Sequence, residues 1–124
     1  MEDLYCKVFI NTIQSIEELT EKISVCLHLA HDKFFSIEGD YFSVDVIKNK
    51  EFDEEKSKEF PDGFLYFPYF LDIDTSDYNK SSDYKKEIKK LLVFLWEEGY
   101  QVVASCDFEN ELPYKGGYNQ RINY

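Results

Sequence analysis

Apolar and polar residues repeat at two different periods along this chain, and each switch of period marks an element. Residues 5–10 alternate with period two. Cys6, Val8 and Ile10 fall on one face and Tyr5, Lys7 and Phe9 on the other, which predicts a strand. Ser15 opens a helix, because Ser15-Ile16-Glu17-Glu18 fits a capping box. Ile16, Leu19, Ile23, Cys26, Leu27 and Ala30 then recur at helical spacing as one apolar stripe. Residues 34–37 and 41–47 read as paired strands around a Glu38-Gly39-Asp40 turn, with Gly39 expected at positive φ. Phe42, Val44 and Val46 face one way; Ser43 and Asp45 face the other, which leaves one face wet.

Residues 48–62 break the pattern. Six acids and four lysines surround Phe52 and Phe60, the only large apolar residues there, so the segment is expected as a charged surface loop that ends in a Pro61-Asp62-Gly63 turn. The run at 64–74, FLYFPYFLDID, is the strongest strand signal in the chain. Pro68 inside it lacks a backbone donor, so an irregularity is expected there, and a central place for this strand conflicts with it. After a polar loop, Ser81 or Ser82 is expected to cap a second helix with the stripe Tyr84, Ile88, Leu91, Leu92 and Leu95. Gly99 is expected to end it in the left-handed region. Residues 101–107 form the last strand, followed by a loop-like tail over 108–124.

The order β-α-β-β-β-α-β places two helices on one face of an antiparallel sheet. The fold class is α+β. The expected architecture is a ferredoxin-like split βαβ sandwich with an extra hairpin strand, in one domain over 1–124.

Composition narrows the function. The 25 acidic and 14 basic residues give a net charge of −11, which repels nucleic-acid phosphates and anionic membranes and attracts basic partners. Eleven Phe and ten Tyr exceed what a small core needs, so surplus Tyr is expected at the surface, as in binding patches. Cys6, Cys26 and Cys106 form no complete disulfide framework and no Cys-x-x-Cys pair. They are expected as free, buried thiols in a reducing compartment. The N-terminal residues do not follow a signal-peptide pattern, and no apolar run approaches the ~20 residues that span a bilayer. The expected location is the cytoplasm.

Candidate chemistry is sparse. His28 and His31 are expected near the end of the first helix, where the dipole favours a protonated imidazole; their spacing suits a metal pair, but no third ligand is evident. Asp107, Glu109 and Glu111 alternate after the last strand, so an extended chain would put all three on one side, where they could hold a hard cation or act as acid and base. No phosphate loop or nucleophile motif is present. No catalytic residue, metal or cofactor is expected.

Two segments carry a resemblance: Glu59-Phe60-Pro61-Asp62-Gly63-Phe64-Leu65-Tyr66-Phe67, and Cys106-Asp107-Phe108-Glu109-Asn110-Glu111-Leu112-Pro113 with Gly116-Gly117. They resemble patches in small bacterial proteins of similar length that look like the immunity partners of polymorphic toxins. The resemblance, mainly over the second half of the chain, implies a cytoplasmic protein that binds and blocks one cognate toxin. An acidic surface would suit a basic toxin domain. The expected contacts are Asp53, Glu54, Glu55, Asp107, Glu109 and Glu111, with Tyr114 and Tyr118 as anchors, in a monomer or homodimer. A small-molecule-binding regulatory domain is the second expectation, and a small carboxylate-dependent enzyme the third.

Overall fold

A computed structural model describes residues 2–120. The elements are β1 (Cys6–Asn11), α1 (Ile16–Leu27), β2 (Ser36–Glu38), β3 (Phe42–Lys48), β4 (Tyr69–Thr75), α2 (Ser81–Glu97) and β5 (Gln101–Cys106). Short 3-10 turns lie at Lys56–Lys58, Asp62–Tyr66, Tyr78–Lys80 and Glu109–Glu111. Among the described residues the five strands form one antiparallel sheet in the order β2-β3-β4-β1-β5. The chain is therefore an α+β fold, with an open five-stranded sheet and two helices.

Register explains the core. Cys6 lies opposite Ile73 and Cys106, Val8 opposite Leu71 and Ala104, and Ile10 opposite Val102. These side chains share one face and join the helical stripes, Leu19 and Ile23 of α1 and Ile88, Leu91, Leu92 and Leu95 of α2, in a single apolar core. Both helices thus cover that face. Tyr84 is fully buried between helix and sheet, and its hydroxyl donates to the carbonyls of Leu4 (2.6 Å) and Ile73 (3.1 Å). The opposite face carries a smaller cluster in which Phe64 and Phe67 of the connection from β3 to β4 cover Phe9 and Val103.

Several sequence expectations need correction. The strand expected over 64–74 starts only at Tyr69: residues 62–66 form a 3-10 turn, and Pro68 precedes the strand. Without a proline in the ladder, β4 can sit centrally between β1 and β3, and the conflict raised by Pro68 disappears. The apolar run is real, but half of it caps the back of the sheet rather than extending it. Helix α1 stops at Leu27, before Ala30. His28 takes the left-handed conformation (φ 57°), its N–H donates to the Ser24 and Val25 carbonyls, and the Ser24 hydroxyl donates to the Leu29 carbonyl. No glycine or proline marks this stop, and the two histidines lie beyond the helix. The expected strand at 34–37 shortens to Ser36–Glu38, and Gly39 is absent from the positive-φ residues. At the start of α2 neither Ser81 nor Ser82 is the cap; the 3-10 turn before the helix is capped instead by Asp77, whose carboxylate accepts from Asn79 N–H at 3.0 Å.

Other expectations hold. Ser15 accepts from Glu18 N–H at 3.1 Å, as the capping box requires, although the Glu18 carboxylate returns to the Ser15 hydroxyl rather than to its amide. Gly99 follows α2 at φ 88° and donates to Trp96. The tail over 108–124, expected as loop-like, is instead well packed as far as it is described, to residue 120: Phe108 and Leu112 are buried in the main core. Its last residues lie outside the described residues.

Candidate functional site

A groove of about 1010 Å³ lies at the end of the sheet where β1 finishes and β5 begins. Phe64, Phe67, Trp96 and Val103 contribute to its floor, and the charged loop after β3 supplies one wall. Ile13, Phe52 and Phe60 line it while remaining strongly exposed: Ile13 is 105% exposed, and each phenylalanine 50%.

The exposure of Ile13 is imposed by its neighbours. Asn11 Nδ2 donates to Gln101 Oε1 (2.7 Å), and Gln14 N–H donates to Thr12 Oγ1 (3.1 Å). The Tyr69 hydroxyl donates to the Gln14 carbonyl and the Tyr100 hydroxyl to Gln14 Oε1, both at 2.6 Å. With the turn pinned on both sides, the isoleucine stands in solvent on a rigid support. A backbone so held loses little further freedom on binding, which favours use of its side chain as a contact.

The two expected anchors, Tyr114 and Tyr118, do not line this groove but pack against Trp96 and Phe64, which do. The Tyr118 ring packs edge-on against Phe64 at 5.5 Å, and its hydroxyl donates to Asp62 Oδ1 at 2.9 Å. That carboxylate holds the Tyr118 phenol above its ordinary value. Tyr114 packs edge-on against Trp96 at 5.6 Å. Its backbone is unusual: Tyr114, Lys115 and Gly116 have φ of 53°, 53° and 80°, a left-handed run that disfavours L side chains at the first two positions. Gly116 makes the run possible, since a Cβ there would lie 2.8 Å from the Ala104 carbonyl oxygen.

The expected acids divide into two groups. Glu54 lines the groove. Asp53 beside it accepts from the amides of Glu55 and Lys56, both at 3.0 Å, and so shapes the wall; Glu55 pairs with Lys58 at 3.5 Å. Asp107, Glu109 and Glu111 lie elsewhere, in and beside a 3-10 turn rather than an extended segment, so alternation does not align them. Asp107 accepts from Asp3 N–H (3.0 Å), Glu109 from Cys106 N–H (3.4 Å), and Glu111 pairs with Lys85 (2.9 Å). These bonds tie the tail to the N-terminus and to α2. Among the described residues, no group of three or more His, Cys, Asp or Glu is arranged to hold a metal ion.

Ile13, Phe52 and Phe60 are not among the contacts expected from the sequence, although a signal for them exists. Each is an apolar residue isolated in a polar connection, where no core position calls for it. The sheet surface beyond the second cluster is the wet face expected from Ser43 and Asp45. There Asp45 and Asp72 are register partners, and Ser43 faces Asp74. Lys7 lies opposite Asp72 with its ammonium 4.0 Å from the Phe70 ring centroid, and the Tyr5 hydroxyl donates to Asp72.

No protein-family model, no curated protein and no solved structure matches the chain. No helix among the described residues is long and apolar enough to cross a membrane.

Proposed function

We propose that this chain is a protein-binding module for a basic partner, and that it works as an immunity protein, neutralising a cognate bacterial toxin by direct binding. One observation carries the reading: Ile13, Phe52 and Phe60 are exposed around one groove, on a molecule of net charge −11. Exposed apolar residues scattered singly need no explanation, but three around a groove form a patch. The apolar rim supplies contact energy, and the acidic field speeds the approach of a basic partner. Glu54 lines this groove, with Glu55, Tyr114 and Tyr118 proposed as contacts beside it; Asp107, Glu109 and Glu111 add to the field from a distance. The strand order supports a ferredoxin-like split βαβ. With β2 set aside as the extra hairpin strand, β1 and β3 run parallel with β4 between them.

Capture from the native cell at low salt tests the proposal. A single basic protein is expected in stoichiometric amount, toxic when expressed alone and harmless when co-expressed with this chain. Replacing Ile13, Phe52 and Phe60 together by Ser should weaken the complex by more than about 30-fold, the loss of ~2 kcal/mol typical of one anchor, and abolish protection. Protection unaffected by the triple replacement would remove the groove from the interface, and the absence of any toxic partner would remove the immunity reading.

A second reading rests on the groove's size. About 1010 Å³ is enough for a small metabolite, which would make the chain a small-molecule-binding regulatory domain. A metabolite that raises the melting temperature, with no protein partner found, would favour it.

A further inference from the structure

The three cysteines are free thiols, and the sheet register brings two of them face to face. Cys6 of β1 lies directly opposite Cys106 of β5. The neighbouring pairs Val8–Ala104 and Ile10–Val102 share the same parity and point into the main core, so both thiols project to the same side. Residues directly opposed in an antiparallel ladder have Cα atoms about 4.5 or 5.5 Å apart, and both spacings fall within the about 4.4–6.8 Å of a disulfide. Their Cβ atoms, at about 4.5–5.5 Å, must close by up to ~1 Å to reach bonding geometry. We propose that Cys6 and Cys106 are a latent disulfide site, closed by thiol–disulfide exchange with a low-molecular-weight disulfide such as oxidised glutathione.

Exposure sets the order of events. Cys6 is fully buried, whereas Cys106, at the end of the edge strand, is half-buried. The adjoining Cys106 thiol and burial together hold the Cys6 thiol protonated well above its ordinary range, so Cys6 is not the first to react. The Cys106 thiol loses its proton, attacks one sulfur of oxidised glutathione and releases one glutathione thiolate. Cys6 then gives up its proton and attacks Cys106 Sγ, releasing the second glutathione. Two protein thiols are oxidised to one disulfide and one glutathione disulfide is reduced to two thiols, so the exchange balances. Cys26, on α1, is left as the odd thiol.

The bond would join residues 6 and 106 and close a loop of about 100 of the 124 residues. It would fix the edge strand β5, against whose Ala104 carbonyl the tail packs at Gly116, to its neighbour β1 inside the sheet. Cross-links that close long loops restrict the unfolded chain most.

The test is to incubate the full chain with oxidised glutathione, quench it in acid, alkylate under denaturing conditions and map peptides without reduction. The expected product joins the Cys6 and Cys106 peptides, two hydrogens lighter than their sum, and its melting temperature rises by roughly 5–15 °C. Cys26→Ser should leave the product unchanged, and Cys106→Ser should abolish it. A wild-type map in which Cys6 is fully alkylated while Cys106 carries glutathione would overturn the proposal, as would a cross-link through Cys26. Because the map is made on the wild-type chain, the outcome does not depend on whether either variant folds.

Discussion

Tyr84 shows how one side chain can hold two distant segments. Its ring is fully buried, and its hydroxyl satisfies carbonyls of Leu4 and Ile73, at sequence separations of 80 and 11 residues. Tyr84→Phe keeps the packing and strands both acceptors, so a loss of about 1–3 kcal/mol is expected, read as a lower urea midpoint with unchanged slope. A loss below ~0.5 kcal/mol would mean that water replaces the hydroxyl. His31 makes a pH-dependent contact. Its Nδ1 bonds the Asp32 carbonyl and its Nε2 the Glu21 carboxylate (3.1 Å), and both raise its value above that of an ordinary histidine. A histidine whose native value is raised stabilises the fold fully below its unfolded value of about 6.5, and the contribution fades as pH rises through the native value. An NMR titration of His31 should give a midpoint above about 6.5, lowered by Glu21→Gln; a midpoint unmoved by that change would exclude the carboxylate as a cause.

At the scale of elements, the tail is the least expected part. Its composition predicts a loop, yet Phe108 and Leu112 complete the core, and the left-handed run at 114–116 lays Tyr114 on Trp96. That run depends on Gly116, which needs both its positive φ and the absence of a Cβ. Gly116→Ala should therefore cost more than the ~1 kcal/mol of a simple left-handed position, and it should raise hydrogen exchange at residues 113–118. Gly99 is the control. It has a similar φ of 88°, but nothing lies within 4 Å of where a Cβ would sit, so Gly99→Ala should cost only that conformational term. Equal losses at the two sites would show that the contact with Ala104 is relieved by a small shift.

At the scale of the whole molecule, the surfaces that hold the fold together differ from the surface proposed for recognition. One face of the sheet is buried under two helices; the other is partly covered by the insertion before β4 and otherwise carries Asp45, Asp72 and Asp74. Ile13 contributes nothing to either cluster and is fully exposed. Ile13→Ser is accordingly expected to leave unfolding free energy within ~0.5 kcal/mol of wild type while weakening partner binding. A marked loss of stability would mean that the turn depends on the side chain and not on the hydrogen bonds around it. The acidic field belongs to this scale as well: association with a basic partner should slow steeply as salt rises, because the Debye length falls to about 8 Å at physiological ionic strength.

Periodicity determined the helical stripes up to Leu27 and the parity of β1, β3 and β5, and local residue chemistry the Ser15 cap and the Gly99 stop, because each depends on neighbours within a turn or two of the chain. The charged loop with its two stray phenylalanines was legible too, though not its place along the groove. Tertiary structure decided where the apolar run at 64–74 divides, because Phe64 and Phe67 look the same in a strand as on a lid over Phe9. It also decided where α1 ends, through a histidine in a left-handed conformation that its residue type does not announce. The groove and the Cys6–Cys106 pair are invisible along the sequence for the same reason. Each joins residues tens of positions apart, and only the strand order, set by burying both helical stripes on one face, brings them together.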